Sequence, residues 1–431
     1  KDPSIAKRVL GIDACSSEIG CRPEIFASAF RFLSNHVVLN SKQSIESFVT
    51  PEYRVGVKEK FKDFSNELPQ LRITYHAGEE FLDVADGLRA IDEAMLFFNL
   101  DCGDRLGHAI ALGINVEEWY RTKGNRILIS KQDYLDNIVW MHGRIVELGV
   151  NGQEELKDYL QKEFSLYFKE IYENYIDFET VRIILKKMEE EYRKYEDLLP
   201  YGIEEYNPSF DIHSYYRAWK LRGDDPIYYE NGYFKYNRFS VENSFDFYRI
   251  NREFPAHFEI RYMPDVALLY YYYHYSTFVR KKGEMRIEKE ISPLYIKGVK
   301  VIQKKMQELV GIKGIAIETN PSSNYLISTF RDYRKHPIIE FYNNGLEIDP
   351  EKLAECPQLC VSINTDDKGV FSTTLENEYS LMACALENMK NPDGSSKYSR
   401  EQIYEWLEHI REMGNMQSFQ SEYQKNKVLK S

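Results

Sequence analysis

LRITYHAG (residues 71–78) is the stretch that decides the fold. It reads as a short buried strand that ends in His76, with the small residues Ala77 and Gly78 directly after it. The same signature recurs on either side. RVLGID (8–13), RLGHAIALG (105–113), GIAIETNPSSN (314–324) and LCVSINTDD (359–367) are all apolar runs that close in polar residues. Between the second and third runs, FLDVADGLRAIDEAMLFF (81–98) carries apolar residues at helical spacing. Strand, helix and strand at this pitch predict βαβ units in a parallel sheet, hence an α/β fold. A barrel of parallel strands collects its functional residues on one face, at the strands' C-terminal ends. Here those ends are Asp13, His76, His108, Asn320 and Asp366.

The 431 residues divide into three textures. Residues 1–113 and 301–431 share the strand-and-helix pattern. Residues 114–300 are rich in Tyr, Trp, Phe and charge, and read as a mostly helical insertion. Within it, ETVRIILKKMEEEYRKYEDLL (179–199) is an amphipathic helix and VALLYYYYHYSTFVR (266–280) a second, more buried one. Hydrophobic residues make up 43% and charged residues 29%, an ordinary globular balance. No run is long and apolar enough for a membrane span, so no membrane partner is expected. A net charge of −12 argues against wrapping a polynucleotide, although it leaves room for a small basic pocket. Six scattered cysteines predict a reducing, cytoplasmic home and no disulfide framework. The first residues, KDPSIAKRVLGID, lack both an initiator Met and a signal-peptide shape, so the true N-terminus is expected elsewhere.

Taken singly, each candidate has a bland alternative. His76 and His108 could be core histidines, and Glu79 a surface carboxylate. Asp366 and Asp367 could sit in a solvated loop or cap a helix. Together they say more. Neutral imidazole and carboxylate are good zinc ligands, and a catalytic zinc keeps one position for water, whose pKa it lowers from about 15.7 to about 7. A second histidine can take a proton from that water, and a carboxylic acid can protonate a leaving heterocycle.

The ordered motifs HAGE (76–79), GHA (107–109), ETNPSSN (318–324) and SINTDD (362–367) resemble those of the adenosine and AMP deaminase family of metal-dependent hydrolases. The resemblance covers residues 8–113 and 300–385. It implies a TIM-type (β/α)8 barrel and conversion of an adenine nucleoside or nucleotide (adenosine or ATP) to the inosine-type product and ammonia. It also implies roles: His76 and Asp366 as ligands of Zn2+, Glu79 as the acid at ring nitrogen 1, and His108 as the base that orients the attacking water. Asp367 would bond ring nitrogen 7, and Ser322, Ser323 and Asn324 would form a supporting turn. GIDACSSEIGCRPEIF (11–26) and the aromatic insertion are similar to the adenosine-deaminase-like component of the bacterial RADAR antiphage defence system. That likeness implies a large homo-oligomer and an ATPase partner, and leaves free nucleotide or RNA open as substrate.

There are departures from the family pattern. The family's first-strand HxH pair is absent, so the first barrel strands are expected to be missing from this sequence, supplied by a longer polypeptide or another chain. Ser16 stands where the family has a substrate-contacting Gly, and Lys368 where it has a Pro. Arg331 and Arg334, with Lys335, form a basic run suited to phosphate, and Arg22 is another candidate grip. The competing expectations are a different amidohydrolase chemistry and a catalytically impaired shell or docking scaffold. The cytidine-deaminase signature, H-x-E with P-C-x-x-C, is not in the chain.

Overall fold

The computed structural model describes residues 8–15, 17–35, 71–192, 208–235 and 256–419. The described strands, in chain order, are β1 (Gly11–Ala14), β2 (Arg72–Ala77), β3 (Arg105–His108), β4 (Arg126–Ser130), β5 (Arg286–Glu290), β6 (Ala316–Thr319) and β7 (Val361–Ile363). The main sheet has five of them, in the order β1-β2-β3-β6-β7. All four pairings are parallel. These are the five strands expected from the sequence. Asp13 pairs with Thr74 and Thr74 with Arg105, whereas His76 pairs with Gly107 and Gly107 with Glu318. Paired residues of neighbouring strands point to the same face, so one register row runs from His76 through Gly107 to Glu318. Among the described residues β1 and β7 each have a single strand neighbour.

The helix Val84–Phe97 comes after β2 and starts on Asp83, whose side chain accepts from the Ala85 amide. Thirteen of its 14 residues are buried, so it is covered on every side. Leu88, Ile91 and Met95 join the apolar core. Its charged residues meet the segment that separates β3 from β6. Asp92 receives Trp140 Nε1 at 2.6 Å and pairs with Arg144 at 2.6 Å. Arg89 pairs with Glu93 at 2.9 Å and donates to Asn137 Oδ1 at 2.9 Å, while Trp219 Nε1 reaches Glu93 at 2.9 Å. Buried charges tolerate this only when paired, and removing one partner typically costs about 3–5 kcal/mol. The helix Val84–Phe97 therefore both covers the sheet and docks the segment between β3 and β6. A single core cluster runs through both regions.

That intervening segment is helical, with Lys131–Glu147, Glu154–Phe168, Ile212–Lys220 and Pro293–Lys313 among its helices. It also holds the antiparallel ribbon of β4 with β5, which the sequence pattern does not predict. Residues 266–280 form two helices rather than one, Pro264–Tyr275 and Thr277–Gly283. Ser276 leaves helical backbone angles, and its hydroxyl caps the second helix at the Val279 amide. The amphipathic helix expected over 179–199 is seen as Phe178–Tyr192, and its remainder lies outside the described residues. Among the described residues no helix is long and apolar enough to cross a membrane.

Candidate metal centre

His76 is the penultimate residue of β2 and His108 the last of β3, so adjacent strands bring the two rings to one end of the sheet. Their centroids are 4.4 Å apart at 74°. This approach depends on Gly107, where an added Cβ would lie 2.5 Å from His76 Cδ2. Gly107→Ala is therefore expected to displace the His76 ring and weaken the cluster's hold on an added divalent ion, with little change in melting temperature. Metal analysis beside a thermal melt checks this.

After β2 the chain turns back through Gly78, whose positive φ of 78° favours glycine. A Cβ there would also strike Ile91. The turn returns the buried Glu79 to His108, with Oε1 2.8 Å from Nδ1. Ligand atoms of His76, Glu79 and His108 lie within 4.8 Å of one another. Asp366 Oδ2 approaches from β7, 3.6 Å from His108 Nε2. His108, Ala109 and Asp366 all hold left-handed backbone angles, with φ of 63°, 48° and 56°. Such strain in non-glycine residues clusters where side-chain placement outweighs backbone comfort.

A buried amide orients the pair. Asn324, in the helix Pro321–Ile327 after β6, places Nδ2 3.0 Å from Glu79 Oε1 and 2.7 Å from His108 Nδ1. Its Oδ1 accepts from the Asn320 amide at 3.1 Å and faces His336 Nε2 at 3.1 Å. The Ile338 amide donates to His336 Nδ1, so His336 carries its hydrogen on Nε2 and donates to Asn324. Burial pushes His336 down to about 3, which keeps it neutral. This fixes which end of the Asn324 amide faces Glu79. His108 Nδ1 thus faces both the Glu79 carboxyl oxygen and the Asn324 amide nitrogen, and it cannot donate to the one while accepting from the other. With its hydrogen on Nδ1 and turned to an ionised Glu79, His108 keeps a free lone pair on Nε2.

Burial works against protonation of His108, but its hydrogen bond to Glu79 and that carboxylate's charge outweigh burial and raise its pKa. Burial, helped by the neighbouring His108, lowers that of His76, which favours the neutral, metal-binding form. Glu18, on the loop after β1, receives the Gly78 amide at 2.7 Å and the Glu79 amide at 3.1 Å. Burial of its carboxyl under that turn, reinforced by the Glu79 charge, pushes it up to about 8.

The remaining expected residues have varied surroundings. Asp367 is exposed and caps the short helix Lys368–Phe371, with Oδ1 accepting from the Gly369 and Val370 amides. Its own amide donates to Asp366 Oδ1 at 2.8 Å. The Cys15 thiol is pushed up by partial burial and then by the charges of Asp13, Asp366 and Asp367. Ser16 lies outside the described residues. Arg331 donates to the carbonyls of Tyr325, Ser328 and Phe330, Arg334 pairs with Asp332 at 2.7 Å, and Lys335 pairs with Glu118. Arg22 is held by Asp86 and Glu93, each at 2.7 Å, so its role in the fold is an internal ion pair. Sequence reasoning misses Glu18 and His336. Glu18 stands two residues from Ser16, and His336 sits near the end of the STFRDYRKHP run, whose cations are its more visible feature.

No protein-family model matches the chain. Short segments do match known proteins. Over 83 residues the chain is 31% identical to adenosine deaminase of Plasmodium gallinaceum, covering 19% of each chain. Over 76 residues it is 36% identical to adenosine deaminase of Shewanella pealeana, covering 18% of this chain and 19% of that one. Over 74 residues it is 30% identical to adenine deaminase of Sinorhizobium medicae, covering 17% and 19%. The matched segments thus span about a fifth of the length of these relatives.

Proposed function

We propose that this chain carries the active-site face of a zinc-dependent hydrolase that deaminates adenine nucleosides or nucleotides. In this reading its five parallel strands are consecutive staves of a TIM-type (β/α)8 barrel, with residues 114–300 inserted between 1–113 and 301–431. One observation carries it: His76, Glu79 and His108 converge within ligand distance, with Asp366 beside them. The similar proteins, adenosine and adenine deaminases, support the substrate class.

An imidazole and a carboxylate, His76 and Asp366, are ligand types that suit a borderline-soft divalent ion, and they make two of the three protein ligands a catalytic zinc takes. His76 and Asp366 would hold it. When bound, zinc would polarise a water for attack on carbon 6 of the adenine ring. His108 Nε2, kept free while Nδ1 donates to Glu79, takes the water's proton and orients the attack. Glu79, steadied by Asn324 and Ser323, receives the Nδ1 proton of His108 as Nε2 takes the water's, and passes it to ring nitrogen 1. Asp367 bonds the ring at nitrogen 7, and Ser16 belongs to the loop that borders the substrate. For a nucleotide, Arg331 and Arg334 would exchange their present partners for phosphate oxygens. Arg331→Ala with Arg334→Ala then raises KM for ATP and leaves that for adenosine unchanged. Equal effects on both substrates remove that assignment.

The finer placement, as the deaminase component of a RADAR-type defence system with an oligomeric shell and an ATPase partner in the cytoplasm, rests on residues 11–26 and the aromatic insertion alone. The direct test of the activity is ammonia release from adenosine and from ATP by the purified protein. Release that a chelator abolishes and zinc restores supports the reading, and no release from either substrate with zinc loaded refutes it.

A further inference from the structure

We infer that Glu18 is a positioning residue for Glu79. The inference rests on the proposed role of Glu79 as the proton donor. The two leading amides of the turn 78–80, those of Gly78 and Glu79, donate to the carboxyl group of Glu18, some 60 residues away, at 2.7 and 3.1 Å. The exchange is reciprocal. Glu80 Oε2 receives the Glu18 amide at 3.1 Å and the Ser17 hydroxyl at 3.0 Å. The β1 loop and the β2 turn are thus laced together by two acidic side chains, each accepting from the backbone of the other segment.

The loop itself is fixed further along. Arg22 grips Asp86 and Glu93 on the helix after the turn, and Glu24 accepts from Tyr273 Oη at 2.7 Å. Glu18 is therefore presented from an anchored backbone rather than from a free loop. Glu79 is consequently held at two points. Asn324 fixes its carboxyl, and Glu18 fixes the peptide from which its side chain departs. A proton donor held at only one end can drift by an ångström, and such a misplacement costs about a hundredfold in rate.

The test compares Glu18→Ala, Glu18→Gln and Glu18→Asp in the purified full chain loaded with zinc. It reads kcat and KM for adenosine, together with hydrogen–deuterium exchange over residues 75–82. Glu18→Ala is expected to lower kcat about 30- to 100-fold with KM within about threefold, and to speed amide exchange at Gly78 and Glu79. Glu18→Gln keeps an acceptor oxygen at the same reach, so most of kcat and of the exchange protection returns. Glu18→Asp, one methylene short, behaves like alanine, and it decides the matter with Glu18→Gln if the alanine variant does not fold. Unchanged exchange in Glu18→Ala, or equal losses in the alanine and glutamine variants, overturns the inference. Failure of the deaminase reading is distinguishable: activity is then absent in the parent protein or survives Glu79→Gln, while the exchange data still report on Glu18.

Discussion

Glu79→Gln is expected to lower kcat for adenosine or ATP by about a thousandfold, with KM changed only a few-fold. General acid–base catalysis by one positioned side chain contributes about 10²–10⁴ in rate. The substitution is nearly isosteric, so it isolates the proton. Glu79 Oε1 lies 2.8 Å from His108 Nδ1 and 3.0 Å from Asn324 Nδ2. A glutamine carbonyl oxygen in that position can still accept from both, so the local fold should survive. Its amide cannot hand a proton to a ring nitrogen at neutral pH. The loss of a carboxylate also removes the negative charge that helps raise the pKa of His108. The base should therefore titrate lower in the variant, and whatever residual activity remains should lose its acid limb at a lower pH. Steady-state ammonia release across pH 5 to 8, with metal content measured beside it, checks both effects. Retention of a tenth or more of the parent kcat would remove Glu79 from the mechanism.

His76→Ala is expected to empty the metal site without unfolding the chain. Loss of an outer-shell partner already costs about 10–100-fold in metal affinity, and loss of a ligand should cost more. Bound zinc should fall from about one per chain to a small fraction, and activity should fall with it. The physical reason the fold should tolerate this is the ring's surroundings. His76 is only part-buried, its lowered pKa keeps it uncharged, and its removal strands no buried hydrogen-bonded partner among the described residues. Its ring sits over Gly107 and against the edge of His108. Elemental analysis and a thermal melt of the same preparation separate the outcomes. Full zinc occupancy in the variant would show that His76 is not a ligand.

Much of this arrangement is legible in the chain, for a definite reason. A strand whose apolar run ends abruptly in a histidine or an acid announces both its burial and its C-terminal end. That signal alone puts His76, His108, Asn320 and Asp366 at strand ends, where the fold has them. The role of Arg22 is not legible, because a guanidinium suits a phosphate as well as Asp86 and Glu93, and only the fold says which one faces it. His336 looks isolated because its partner Asn324 is reached across a turn rather than along the chain. The β4–β5 ribbon is hidden because four of the five residues of RIEKE (286–290) are charged and its partner is more than 150 residues distant. The break at Ser276 is hidden inside an aromatic run whose apolar character continues on both sides. Glu18 shows the same limit at the site itself. Nothing local marks a glutamate that serves the backbone of another strand's turn.

The central claim is that one cation is held where β2, β3 and β7 end. Anomalous diffraction at the zinc edge, from crystals of the purified protein, tests it most directly. The account predicts a single strong peak about 2.0–2.2 Å from a nitrogen of His76 and an oxygen of Asp366, with His108 and Glu79 around it. A peak elsewhere, or clear density for these side chains aimed into separate spaces with no metal between them, would contradict it.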